Sequence, residues 1–326
     1  MTRISCRLTL SFFLSLFLAA PWTGAQTPPP SPAKPVEPAI PPTLANLPYG
    51  ADPSQVIDFY RAQSASPTPL VVFIHGGGWV NGSKSSVPNL KAYLDADISV
   101  ASVEYRFLQK AMAAGVHPPV IWPLNDAARA VQFIRSKAGE WNIDKSRVAA
   151  SGGSAGACSS LWLAFHDDLA DPASADPVSR ESTRLFAAAV TGAQTSLDPL
   201  QLKQWTPNSR YGGHAFGLFD PADLKVRDTR FAEFLDKREA LLPEIRKYSP
   251  IEHVTPDDPP VYLEYSAAPA LGQEQTDPTH TANYGVGLQE KCRSVGTLCI
   301  LQYPGATGVQ DPSVTAYLIR TLKTGR

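Results

Sequence analysis

Arg147-Val148-Ala149-Ala150-Ser151-Gly152-Gly153-Ser154-Ala155-Gly156 is the stretch on which the reading of this chain turns. Arg147 to Ala150 has the character of a strand, and a helical pattern runs from Ala155 to His166. Ser154 therefore falls in a tight strand-to-helix turn, with glycines where side chains would collide. Such an elbow exposes the Ser154 hydroxyl and aims the Ala155 N–H at a reacting oxygen. The positive end of the helix that follows favours an oxyanion at the same place. A Gly-x-Ser-x-Gly pattern alone is weak, because both residues are common; the flanking strand and helix give it weight.

A second glycine motif, His75-Gly76-Gly77-Gly78-Trp79, follows the continuous apolar run Leu70-Val71-Val72-Phe73-Ile74. That run suits a strand buried on both faces. Three consecutive glycines leave backbone N–H groups uncovered, able to point at developing negative charge, while His75 shapes the loop rather than acting as a base. A serine hydroxyl needs a neighbouring base before it attacks. The pair of motifs therefore points to acyl transfer and raises the question of which histidine serves Ser154.

The alternation continues along the chain. Ile98–Tyr105, Phe186–Val190, Val261–Tyr265 and Leu298–Tyr303 read as strands, and Asn89–Asp95, Asn125–Lys137 and Thr281–Ser294 as helices. Strands alternating with helices imply an α/β protein with a mostly parallel sheet covered on both faces. Ligands on such sheets bind outside the carboxyl ends of the strands, where both glycine motifs fall. Residues of about 198–258, rich in Trp, Pro, Gly and Arg, interrupt the pattern and are expected to project there as a cap.

With these motifs the chain resembles the α/β-hydrolase superfamily. The likeness is to its HGGG-type carboxylesterases, related to hormone-sensitive lipase and to bacterial acetyl-xylan and feruloyl esterases. The resemblance runs from Tyr49 to the C-terminus and includes Asp58-Phe59-Tyr60, Tyr105-Arg106, Asp126, Asn142-Ile143-Asp144, Ser249-Pro250-Ile251 and Asp258-Pro259-Pro260. It implies an α/β-hydrolase fold with an eight-stranded sheet, and Ser154 as nucleophile. It further implies an oxyanion hole from Gly76, Gly77, Gly78 and Ala155, and ester hydrolysis without a cofactor.

The chain departs from that family after residue 260. The usual acid loop reads Ser266-Ala267-Ala268-Pro269, and the turn that usually holds the base reads Tyr303-Pro304-Gly305-Ala306-Thr307-Gly308, with no histidine after His280. Asp277-Pro278-Thr279-His280 follows a strand that ends at the active-site face, so His280 is the candidate base and Asp277 its orienting acid, with Asp311 as the other candidate acid. In the competing reading, Asp277 and His280 only cap the next helix. His117, His214 and His253 are alternative bases, with His214, on the cap, expected rather as a lid or substrate contact.

The remaining features bound the setting. Arg3, Arg7 and the apolar run Leu8–Ala20, followed by Thr23-Gly24-Ala25, predict a secretory signal over residues 1–25; the run is too short to span a membrane. Residues 26–48 are crowded with proline and read as a linker. The folded domain is then expected over 49–326, in a secreted or periplasmic protein with no membrane insertion after cleavage. Loss of Arg3 and Arg7 takes the formal charge from −1 to −3, which leaves no basic field for nucleic acid. Of the cysteines that remain, Cys292 and Cys299 could be bridged, and Cys158 is expected to be a buried small residue. Zinc-site spacings are absent. The expected activity is hydrolysis of small acyl esters, with acetyl or feruloyl groups on polysaccharide as candidates. The alternative is a hydrolase fold that has lost its histidine and binds a ligand or partner without catalysis.

Overall fold

The computed structural model describes residues 1–2 and 40–325. The expected signal and most of the linker lie outside the described residues. Eight strands form one sheet: β1 (Leu44–Pro48), β2 (Val56–Tyr60), β3 (Thr68–Ile74), β4 (Ser99–Val103), β5 (Ile143–Gly153), β6 (Ala187–Thr191), β7 (Val261–Glu264) and β8 (Cys299–Gln302). Their order is β1-β2-β4-β3-β5-β6-β7-β8, antiparallel at the β1 and β2 edge and parallel from β4 onward. The linker expected to run to residue 48 thus ends too late. Leu44 and Leu47 pack against the core, and the strand they belong to pairs with β2 as the edge of the sheet.

Helices cover both faces. They are α1 (Leu90–Asp95), α2 (Leu108–Ala113), α3 (Ile121–Ser136), α4 (Ala138–Trp141), α5 (Ala155–Phe165), α6 (Pro199–Trp205), α7 (Phe231–Asp236), α8 (Arg238–Tyr248), α9 (Asn283–Val295) and α10 (Val314–Thr324). Strand β3 shows how its apolar run works. Leu70, Val72 and Ile74 join the larger core with α3, α5 and α9, while Val71 and Phe73 face the smaller core with Tyr93 of α1 and Tyr317 of α10. Period-two alternation thus sends successive residues to opposite faces, and both faces are apolar because both are covered.

The 198–258 stretch folds into α6, α7, α8 and 3-10 turns, and its Leu202, Tyr211, Phe234 and Ile245 are buried in the larger core. Cys292 and Cys299 are free, buried thiols. Cys158 is fully buried, and burial pushes its thiol far above its usual pKa, which suits the small-residue reading and no nucleophile. No helix among the described residues is long and apolar enough to cross a membrane.

Candidate active site

Strand β5 delivers Ser154 at the carboxyl edge of the sheet. The residue holds φ 54° and ψ −123°, a backbone conformation rarely tolerated outside glycine, immediately before α5. Two contacts fix the turn: the Ser154 N–H donates to the Thr191 carbonyl at 3.0 Å, and the Cys158 N–H donates to the Ser154 carbonyl at 2.9 Å. The elbow is pressed against the end of β3. A Cβ built on Gly152 would lie 2.4 Å from the Ile74 carbonyl oxygen, and one on Gly156 only 2.0 Å from it.

The glycine loop lies beside the elbow. Gly76 packs on Gly153 and Ser154, and Gly76 and Gly77 line the same cavity as the serine. The third glycine, Gly78, turns toward the 198–258 stretch, where Arg227 and His214 cover it. The N–H groups of Gly76, Gly77, Gly78 and Ala155 have no protein acceptor among the described residues. His75 is a structural residue. Its Nε2 meets Glu104 at 2.8 Å, its Nδ1 faces the Gly76 carbonyl at 2.8 Å, and its ring stacks on Tyr105 at 4.3 Å. Arg106 in turn is clamped to Asp126 of α3, with its Nε 2.9 Å from one carboxylate oxygen, so the Tyr105-Arg106 and Asp126 motifs fasten the wall behind the glycine loop.

His280 comes from the loop between β7 and α9. Its Nε2 lies 2.9 Å from the Ser154 Oγ, and its Nδ1 lies 2.8 Å from the Asp277 carboxylate. Asp277 also accepts the Thr279 and His280 N–H groups at 3.1 and 3.2 Å, which closes a turn and sets the ring's orientation. Burial opposes ionisation of Asp277, but the hydrogen bond from His280 and these N–H groups outweigh it and hold the carboxyl below its usual range. Neither residue caps α9, whose N-cap position is Ala282 with no side-chain bond.

Several residues that sequence reasoning missed hold this loop. Asn283, fully buried, donates through Nδ2 to the carbonyls of Trp205 and Ala270 and to the Thr206 hydroxyl. Asn208 grips the backbone of Gln275 in both directions, and the Gln194 amide donates to the Thr279 carbonyl at 2.7 Å. Gly192, at φ +56°, leaves space for the imidazole; a Cβ there would stand 3.3 Å from the His280 Cβ. No local pattern marks these residues, because their partners are distant in sequence.

The other candidates lie elsewhere. Asp311 pairs with Arg320, with contacts of 2.7 to 3.1 Å, and so orients no histidine. His253 Nε2 meets the Lys247 carbonyl, and His117 lies against Gly217. His214, expected at the substrate, is fully buried among Trp79, Tyr211 and Phe219, and neither ring nitrogen has a hydrogen-bond partner. Burial pushes its pKa down to about 4, although Asp228 lies 3.6 Å away. It belongs to the interior, because the stretch that carries it is packed into the core rather than held open to solvent.

A strained serine elbow on a sheet of this order, a glycine loop with free N–H groups at its side and an imidazole at hydrogen-bond distance define an α/β-hydrolase of the carboxylesterase type. Within that class, the chain belongs to the BD-FAE family, whose model matches residues 57–270. Esterase LipC of Mycobacterium tuberculosis is 27% identical over 232 residues, which cover 65% of this chain and 47% of LipC. Phenmedipham hydrolase of Pseudarthrobacter oxydans is 31% identical over 156 residues, 45% of this chain and 31% of that enzyme. The chain thus spans less than half the length of these relatives. Among solved structures, a truncated carbohydrate esterase from gut microbiota shares the fold at a TM-score of 0.61 and 16% identity, covering 89% of this chain and 98% of the other.

Proposed function

We propose that the protein is an exported serine carboxylesterase that hydrolyses small acyl esters. Acetyl or feruloyl groups carried on polysaccharide are the candidate substrates. The observation that carries this reading is the Ser154–His280–Asp277 chain, with contacts of 2.9 and 2.8 Å, whose serine and histidine line a cavity of about 900 Å³. Ser154 attacks the ester carbonyl as His280 Nε2 takes its proton. Asp277, bonded to Nδ1, holds the ring in the required tautomer and stabilises the imidazolium. The oxyanion meets the free N–H groups of Gly76, Gly77 and Ala155, with Gly78 bracing the loop through its contacts to Arg227 and His214. His280 then protonates the departing alkoxide, and a water deprotonated by the same ring releases the acyl group from Ser154.

The alternative, a hydrolase fold kept only for binding, drew its support from the missing histidine after β8; an imidazole 2.9 Å from Ser154 removes that support. Export rests on Arg3, Arg7 and the apolar run to Ala20. The test is covalent labelling. A fluorophosphonate should add to the native protein at one peptide, the one containing Ser154, and Ser154→Ala should remain unlabelled. Labelling of neither protein would reject the reading. In the same sample, a mass corresponding to a chain that begins at Gln26 is the expected sign of export.

A further inference from the structure

The cavity at Ser154 is larger than a small acyl ester requires, and its walls differ from one end to the other. In the proposed reaction His280 must hand a proton to the leaving alkoxide, so the alcohol oxygen departs on the His280 side. On that side the wall is made by Thr191, Glu264, Ser266 and the first residues of α10. Glu264, the last residue of β7, is in register with Thr191 of β6, which is in register with Gly153 of β5. Two strand spacings separate its backbone from the elbow, about 10 Å. That is the reach of a small polyol joined through the ester oxygen.

The chemistry of the arm is selective. Glu264 is its one formally charged side chain among the described residues lining the cavity, histidines aside. One carboxylate oxygen accepts the Val314 N–H at 2.9 Å, at the first turn of the 11-residue α10; the other has no protein donor among the described residues. The carboxylate offsets the positive end of that helix, so the arm does not attract anions. An ionised carboxylate only accepts hydrogen bonds and therefore calls for a donor, while the hydroxyl of Ser266, two residues on, both donates and accepts. Tyr265, next to Glu264 in sequence, also lines the cavity.

We infer that this arm is the alcohol subsite and that Glu264 accepts a hydrogen bond from a second hydroxyl of the leaving alcohol. The enzyme then favours esters of neutral polyols, sugars among them, over esters of simple alkanols and of anionic alcohols. The inference rests on the esterase reading of Ser154 and His280.

The test compares a monoacetylated methyl glycoside with p-nitrophenyl acetate, in the native protein and in Glu264→Gln. The amide keeps an acceptor for the Val314 N–H but loses the charge and turns a donor toward the arm. The ratio of kcat/KM for the glycoside to that for p-nitrophenyl acetate should fall about tenfold, through KM, as expected for losing a hydrogen bond to a charged group. Ser266→Phe, at an exposed position, should lower the same ratio by filling the arm, and it carries the test if Glu264→Gln does not fold. A glycoside that also bears a carboxylate should be a poorer substrate than the neutral one, with the gap narrowing in Glu264→Gln. Calorimetric titration with the unesterified methyl glycoside reads the subsite without catalysis, and binding should weaken about tenfold in Glu264→Gln. An unchanged ratio and unchanged glycoside binding in both variants overturn the subsite. Native protein that hydrolyses no ester, yet binds the glycoside in a Glu264-dependent way, overturns the esterase reading and leaves the subsite standing.

Discussion

Ser154→Ala and His280→Ala should each lower kcat/KM for p-nitrophenyl acetate by about 10⁴-fold or more, and the double variant should fall no further. The two groups act as one unit: without the imidazole the hydroxyl keeps its proton, and without the hydroxyl the imidazole has nothing to activate. Their 2.9 Å contact is the geometric basis for that expectation. Asp277→Ala should cost less, about 10- to 100-fold, because the carboxylate side chain is 60% exposed and water can take over part of its work. Steady-state kinetics on the four variants beside native is the check. A His280→Ala variant that retains activity within tenfold of native would transfer the role of base to another group. A double variant far below either single one would show that serine and histidine act separately.

What the sequence revealed about this site followed from how local each signal is. The elbow and the glycine loop were legible because strand, turn and helix lie within about twenty residues of one another. His280 was legible for a different reason: β7 has to end at the active-site face, so a histidine in the loop after it is delivered close to Ser154. The supports of that loop were not legible. Asn283 holds Trp205 and Ala270, and Gln194 holds Thr279 from 85 residues away, and neither residue belongs to any short pattern. Asp311 looked equally placed in the sequence, but Arg320 lies nine residues on, across little more than two turns of α10, and takes its carboxylate.

The edges of the fold were also obscured. Prolines on either side of Leu44–Pro48 hid a strand that needs few ladder bonds because, among the described residues, it has one neighbour, β2. The C-terminal helix α10 does carry a helical stripe, with Val314, Tyr317, Leu318, Thr321 and Leu322 buried. Its first residues line the cavity, so the position of this unremarked element governs the space open to substrate.

Gly156→Ala should destabilise the protein by about 3 kcal/mol, at the upper end of the cost of overpacking, and should lower the melting temperature by roughly 5 °C. Gly156 sits in α5, outside the left-handed region, so its backbone alone would accept alanine and even favour it. Space forbids it. The added Cβ would stand 2.0 Å from the Ile74 carbonyl oxygen and 2.7 Å from that of His75, and backbone atoms of a central strand cannot rotate aside. Relief requires α5 to move away from the end of β3, which separates Ser154 from the Gly76–Gly77 N–H groups. A displacement of about 1 Å there costs on the order of 10²-fold in rate. Gly296→Ala supplies the contrast. Gly296 ends α9 at φ +91° with nothing within 4 Å of an added Cβ, so alanine there meets conformational strain alone. Its cost should be about 1 kcal/mol, with esterase activity kept. Thermal unfolding and kinetics on the two variants separate the cases: if Gly156→Ala melts with native and hydrolyses esters at the native rate, the close packing of elbow on strand is not what positions the serine.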